Sequence, residues 1–142
     1  MTSDLVIVGG GNMGAALLGG LLASRAYAPD RLAVVEVLER RRQELVSMHP
    51  DVAVVESTPP CAAALIAVKP YDVPAAVTTA VEAGAARILS IAAGVSVATL
   101  QAAADQVRAG VAVVRAMPNT PALVRLGVAA ISGGPHATED DL

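Results

Sequence analysis

Gly9-Gly10-Gly11-Asn12-Met13-Gly14 carries the G-x-G-x-x-G spacing directly after an apolar run, Leu5 to Val8, and directly before a stretch of helical periodicity. In that setting each glycine has a physical task. Gly9 allows a tight turn, Gly11 lets the backbone approach a pyrophosphate, and Gly14 lets the next helix pack closely on the strand, its N-terminus facing the anion. The chemistry expected of such a turn is capture of a dinucleotide through its diphosphate.

Glu36 falls twenty-two residues after Gly14, at the carboxyl end of an expected strand. An acid there accepts hydrogen bonds from both hydroxyls of an adenosine ribose, which favours NAD. Arg40, Arg41 and Arg42 follow, and any of them turned back toward the ribose could pair with a 2′-phosphate, which favours NADP. A third reading makes the arginines a solvated helix face and Glu36 an ordinary surface acid. Lys69, the only lysine, comes after the apolar run Ala62 to Val68 and before Pro70. This puts it at the carboxyl edge of a sheet, where ligands of open α/β folds bind, or makes it a snorkelling surface lysine. Ser90 to Gly94 is small enough to admit a flat nicotinamide ring. Arg115 to Pro121 reads as a proline-bracketed loop, in which the Asn119 amide could orient a small polar ligand or simply shape a turn. His49 and His136 lie beside prolines without partner spacing and read as surface residues. No Ser, His and Asp arrangement and no metal constellation is recognisable.

Positioning these groups requires a sheet with its strand ends aligned. Short β-branched runs alternate with longer Ala and Leu segments, the pattern of βαβ units and a parallel sheet covered on both faces. The expected fold class is α/β: a doubly wound, mostly parallel, Rossmann-type sheet in a single domain. Strands are expected at Leu5–Val8, Leu32–Val37, Val52–Val55, Ala64–Val68, Ile88–Ala92 and Val111–Arg115, with an edge strand at Val128–Ser132. Met13 to Ser24 places Met13, Leu17, Leu21 and Leu22 at helical spacing, and Arg40 to Met48 is a second helix with Leu45 and Val46 facing inward. Asp72 reads as the N-cap of a helix with Pro74 in its first turn, running to about Glu82 and stopping at Gly84. Ser96 caps a segment through Ala104. Two prolines within Ser57 to Pro60 stand where a third crossover helix would start, so that connection is expected to be short or irregular. Thr138-Glu139-Asp140-Asp141 is a helix start signal. It suggests a nucleotide-binding domain over residues 1–137, with 138–142 opening a helix that belongs to a longer parent sequence, or a shortened relative; the alternative is a frayed acidic tail.

Composition narrows the partners. The chain has 142 residues, ten Lys plus Arg against thirteen Asp plus Glu, which fits one ordinary domain. Phe and Trp are absent and Tyr occurs only at Tyr27 and Tyr71, which leaves too few aromatic platforms for single-stranded nucleic acid, and the net charge of −3 argues against duplex binding. Cys61 is the only cysteine, so neither an intrachain disulfide nor a cysteine-based metal site is expected, and a reducing cytoplasm fits. No signal peptide or membrane span is recognised, so neither nucleic acid nor membrane is an expected partner.

Four blocks occur in a telling order: Val8 to Gly14, Ala67-Val68-Lys69-Pro70, Ser90 to Val95, and Arg115-Ala116-Met117-Pro118-Asn119-Thr120-Pro121-Ala122-Leu123-Val124. Together they closely resemble the pyrroline-5-carboxylate reductase family over essentially the entire chain, but only the N-terminal half of that family's usual protein. The resemblance implies reduction of the cyclic imine 1-pyrroline-5-carboxylate to proline with NADPH or NADH, the last step of proline biosynthesis. Val8, Gly9, Gly10, Gly11, Asn12 and Met13 would then hold the pyrophosphate, and Ala67, Val68, Lys69 and Pro70 would line the nicotinamide side. Ile91, Ala92 and Ala93 would wall the same pocket, with Asn119 near the small-molecule substrate. Implied too is hydride transfer from the reduced nicotinamide C4 to the imine carbon, with no catalytic acid assignable. The family keeps its dimer surface and most substrate-carboxylate contacts in a helical C-terminal domain, expected here to be absent. The isolated chain should therefore reduce little or nothing, and a homo-oligomer is expected only where that domain is present. Val37 and Leu38 depart from the polar or basic residues of relatives near the adenosine phosphate, and Ser57 to Pro60 replaces a short helix flanking the cofactor. The reading from a different class is a truncated, non-catalytic module that binds a dinucleotide or pairs with another subunit.

Overall fold

Strand β1 (Ser3–Val8) is buried on both faces, Val6 and Ile7 completely, because its consecutive apolar side chains alternate between two helical layers. The computed structural model describes residues 2–118 and 128–142. Along the chain follow α1 (Asn12–Ala23), β2 (Leu32–Val35), α2 (Glu39–Met48), β3 (Ala53–Val55), β4 (Cys61–Ile66), α3 (Val73–Glu82), β5 (Arg87–Ser90), α4 (Val97–Asp105), β6 (Ala112–Pro118) and β7 (Ala129–Gly133). The strands form one seven-stranded sheet in the order β3-β2-β1-β4-β5-β6-β7. Every pairing is parallel except β6 with β7. The fold is thus the mostly parallel, Rossmann-like α/β sheet that the alternating pattern implies.

Helices α1 and α2 cover one face, where Leu18 and Leu45 pack on Leu5, Ile7, Leu32 and Val34. On the other face α3 and α4 set Val73, Val77 and Leu100 against Val6, Val8, Ile66, Ile88 and Val113. Fully burying one such Leu or Val side chain contributes about 1.5–3 kcal/mol, so a core almost free of rings is built from many modest terms.

Several boundaries move for reasons of pairing. Strand β2 stops at Val35, not Val37, because its partner β3 ends in register at Val55. Strand β4 begins at Cys61 and ends at Ile66 because Ser3 and Val8 of β1 pair with those residues. Strand β5 likewise stops at Ser90, and β6 runs on to Pro118 because the antiparallel β7 pairs with Ala116, Met117 and Pro118. Val46 does not face inward: it is 46% exposed, since the short α2 meets the sheet along the line of Leu45 alone. The helix α1 centres on Leu18, with Leu17, Leu21 and Leu22 packed beside it. Asp72 makes no side-chain cap, because Pro70–Asp72 is already a 3-10 turn leading straight into α3. Ser96 does cap α4, its Oγ accepting from the Thr99 amide at 3.1 Å. Between β3 and β4 the chain crosses without a helix. Thr138 and Asp141 close a capping box over the 3-10 turn Glu139–Asp141, and Arg87 of β5 pairs with Asp141 at 3.0 Å.

Candidate functional site

After Val8 the chain turns at Gly9 with φ +110°, a conformation that side-chain-bearing residues avoid. A Cβ at Gly9 would also lie 2.6 Å from the Ala67 carbonyl oxygen, so the turn sits directly against the end of β4. Gly14 is equally constrained, since its Cβ would meet the Gly9 oxygen at 2.0 Å, and one at Gly10 would meet Leu45 Cδ1 at 2.6 Å. Gly11 differs. Nothing lies within 4 Å of the place its Cβ would fill, so the protein's own packing does not require glycine there.

Gly11 is the N-cap of α1, with no side-chain cap and no acid in the first turn. The first internal helix bond runs from the Ala15 amide to the Gly11 oxygen. The amides at the start of α1 thus face outward with the positive end of the helix dipole behind them, beside a bare Cα surface. This cradle fits a diphosphate.

Gly10 is clasped from both sides. Its amide donates to Glu36 Oε2 at 3.1 Å, and its carbonyl accepts from Arg41 Nε at 2.7 Å. Glu36 Oε1 accepts from the Leu38 amide at 2.9 Å, and Arg42 Nη1 donates to the carbonyls of Glu36 and Val37 at 2.8 Å each. Arg41 also reaches Glu44 at 2.9 Å, and its guanidinium, with Arg40 adding to it, holds the Glu44 carboxyl below the usual carboxylate range. Arg41 and Arg42 escaped the sequence reading as loop-holding residues. The available signal was their place in the first turn of α2, where side chains lean back toward the helix N-terminus and hence toward the loop before it.

The sheet brings the other candidates to the same edge. Val8, Ile66 and Ser90 end adjacent strands in register, so the segments after β1, β4 and β5 emerge side by side. The chain leaves β1 toward β2 on one side while β4 flanks the other, which makes this edge the switch point where ligands of open α/β sheets bind. Ala67 and Val68 are half-buried and Lys69 and Pro70 exposed; Ile91 is half-buried, Ala92 buried and Ala93 exposed. Ser90 Oγ accepts from the Ala92 amide at 3.3 Å, fixing the turn after β5. Glu36 stands at the end of β2 beside the cradle. Asn119 lies outside the described residues. Cys61 sits at the opposite edge, where burial pushes its thiol up from the ordinary value. Among the described residues no three His, Cys, Asp or Glu gather to hold a metal.

Residues 4–94 match the family model described as NADP oxidoreductase coenzyme F420-dependent. A pyrroline-5-carboxylate reductase from Synechocystis is 37% identical over 149 residues, covering 100% of this chain and 53% of that protein. One from Mycobacterium leprae is 34% identical, covering 94% of this chain and 47% of its own length. The chain belongs to the pyrroline-5-carboxylate reductase family. Its match is to the family's N-terminal NAD(P)-binding domain, and it spans about half the length of the curated relatives. The solved pyrroline-5-carboxylate reductase of Coxiella burnetii shares the fold at a TM-score of 0.83 and 24% identity, covering 99% of this chain and 53% of that one. Among the described residues no helix is long and apolar enough to cross a membrane.

Proposed function

We propose that this chain holds NAD(P)H as the cofactor-binding half of a pyrroline-5-carboxylate reductase, the cytoplasmic enzyme that reduces 1-pyrroline-5-carboxylate to proline. The observation that carries the reading is the Gly11 cradle: an uncapped helix start and a glycine that internal packing does not demand. A reductase of this family from Plasmodium falciparum, with the same fold at a TM-score of 0.76 and 20% identity, has been solved with NADP bound. That supports the reading for this chain.

On this reading Val8 ends the strand that aims the turn, and the amides from Gly11 through Gly14 hold the diphosphate, with Gly9 and Gly10 shaping the approach. Ala67 to Pro70 and Ile91 to Ala93 flank the nicotinamide, whose reduced ring supplies the hydride for the imine carbon. The small side chains of Ala92 and Ala93 leave room for a flat ring. The protein contributes position and electrostatics. Residues 1–137 form the nucleotide-binding unit in this reading, and pairing into a homo-oligomer belongs to the helical half of the family's protein.

The test is titration with NADH and NADPH, following nicotinamide fluorescence. Saturable binding below about 1 mM is expected, corresponding to at least about 4 kcal/mol. Well-folded protein that takes up neither nucleotide at that level would remove the function and leave only ancestry. A second reading, a subunit-pairing module, is favoured by the exposed apolar side chains Met117, Val128 and Ile131 on or beside the two last strands. Sedimentation with and without nucleotide separates the two, since a pairing module associates whether or not nucleotide is present.

A further inference from the structure

Two opposed signals lie at the adenosine end of the site: an acid suited to a ribose with free hydroxyls, and three arginines suited to a 2′-phosphate. The geometry decides between them. Glu36 is held at the end of β2 by two backbone donors, one to each carboxylate oxygen, from Gly10 and Leu38. A carboxylate has about four lone-pair sites, so one on each oxygen remains for a ligand. The group is therefore oriented in advance, with acceptors and no donor to offer.

The arginines are committed elsewhere. Arg41 is engaged by the Gly10 carbonyl and Glu44, and turning it toward a phosphate would release the turn that cradles the diphosphate. Arg42 is bound to the carbonyls of Glu36 and Val37, so moving it would uncap the strand end that carries the acid. Arg40 is 92% exposed in its side chain and pairs with Glu44 on the outer side of α2. Glu36, Glu39 and Glu44 together cancel Arg40, Arg41 and Arg42, so the region offers a dianion no net positive charge. The residues next in line, Val37 at 71% exposed and Leu38 at 65%, present apolar surface suited to an adenine face and no donor side chain for a phosphate.

Resting on the proposed NAD(P)H-binding function, we infer that Glu36 makes this chain selective for NADH over NADPH, and that Arg41 and Arg42 serve as positioning residues for the acid and the loop. The acid accepts the ribose hydroxyls and repels a 2′-phosphate, while the same carboxylate holds Gly10. Selection and loop geometry thus share one side chain.

The experiment is equilibrium titration of the whole chain with NADH and NADPH, backed by competition with AMP and with adenosine 2′,5′-bisphosphate, and repeated on Glu36→Gln. NADH is expected to bind at least about five-fold more tightly than NADPH, with the AMP pair showing the same order, and the variant to narrow that ratio. A smaller wild-type ratio, or preference for the 2′-phosphorylated forms, overturns the selectivity while leaving the nucleotide-binding function intact. A folded variant with an unchanged ratio overturns the role of Glu36. Binding of neither dinucleotide overturns the function on which the inference rests. Should the variant fail to fold, the wild-type ratio and the AMP competition decide.

Discussion

The Gly10 amide lies 3.1 Å from Glu36 Oε2, so the turn after β1 and the end of β2 are joined by a hydrogen bond into one unit. Arg41 closes the unit from the other side by donating to the Gly10 carbonyl, and Leu45 packs beneath it. A loop tied at its second residue from two directions meets a ligand already shaped, which lowers the ordering cost of binding.

The glycines of this turn should separate cleanly by substitution. Gly9→Ala and Gly14→Ala force a Cβ against backbone atoms, and each is expected to cost about 1–3 kcal/mol or more in urea unfolding. Gly11→Ala meets no protein atom, so its stability cost should stay below about 1 kcal/mol, while nucleotide affinity drops about ten-fold or more. Equal loss of stability in all three would mean that Gly11 serves the fold alone.

On α2, Leu45 and Val46 are neighbours with opposite fates. Leu45 is fully buried, so Leu45→Ala should cost about 2–5 kcal/mol and loosen the contact beneath Gly10. Val46→Ser, at an exposed position, should shift stability by less than about 0.5 kcal/mol. Denaturation midpoints of the two variants test the difference.

Acid should weaken the fold through three carboxylates. The hydrogen bond from Arg31 lowers Asp4, the bond from Arg41 lowers Glu44, and the amide and then the hydroxyl of Thr138, with Arg87, lower Asp141. A carboxyl depressed in the folded state contributes stability that is complete above its ordinary value and is lost as pH falls through the lowered one. Stability is therefore expected to be flat from neutrality to about pH 5 and to fall below it. Asp4→Asn should make that fall shallower; a slope identical to wild type would show that its pair with Arg31 contributes nothing.

Mixed with the cyclic imine and reduced nucleotide, this chain alone should turn over far more slowly than an ordinary enzyme rate of about 10 s⁻¹. Oxidation at that rate, dependent on the imine, would place every catalytic group within these 142 residues.

Legibility in the sequence followed how local each signal was. The β1 strand, the glycine turn and α1 are encoded within some two dozen neighbouring residues, and the Ser96 cap within four. The start of β4 was not legible, because Cys61-Ala62-Ala63 has no β-branched residue and becomes a strand only through pairing with Ser3 and Leu5. Asp72 misled because the preceding Pro70 set the backbone into a helical turn before the cap position. The clasp of Arg41 on Gly10 spans thirty-one residues and ends on a carbonyl, a target that carries no mark in the sequence.

All pairings but the last join strands that run the same way, and strands so joined cannot close by a tight hairpin. Assembly must therefore wait for distant segments: β1 gains its second neighbour only when residues near position 61 arrive. Such topologies refold slowly, with apolar edges uncovered in the interval. Strand β1, which carries the cradle, is thus among the last to be secured on refolding, and dilute protein with ample time should recover nucleotide uptake far better than concentrated protein refolded fast.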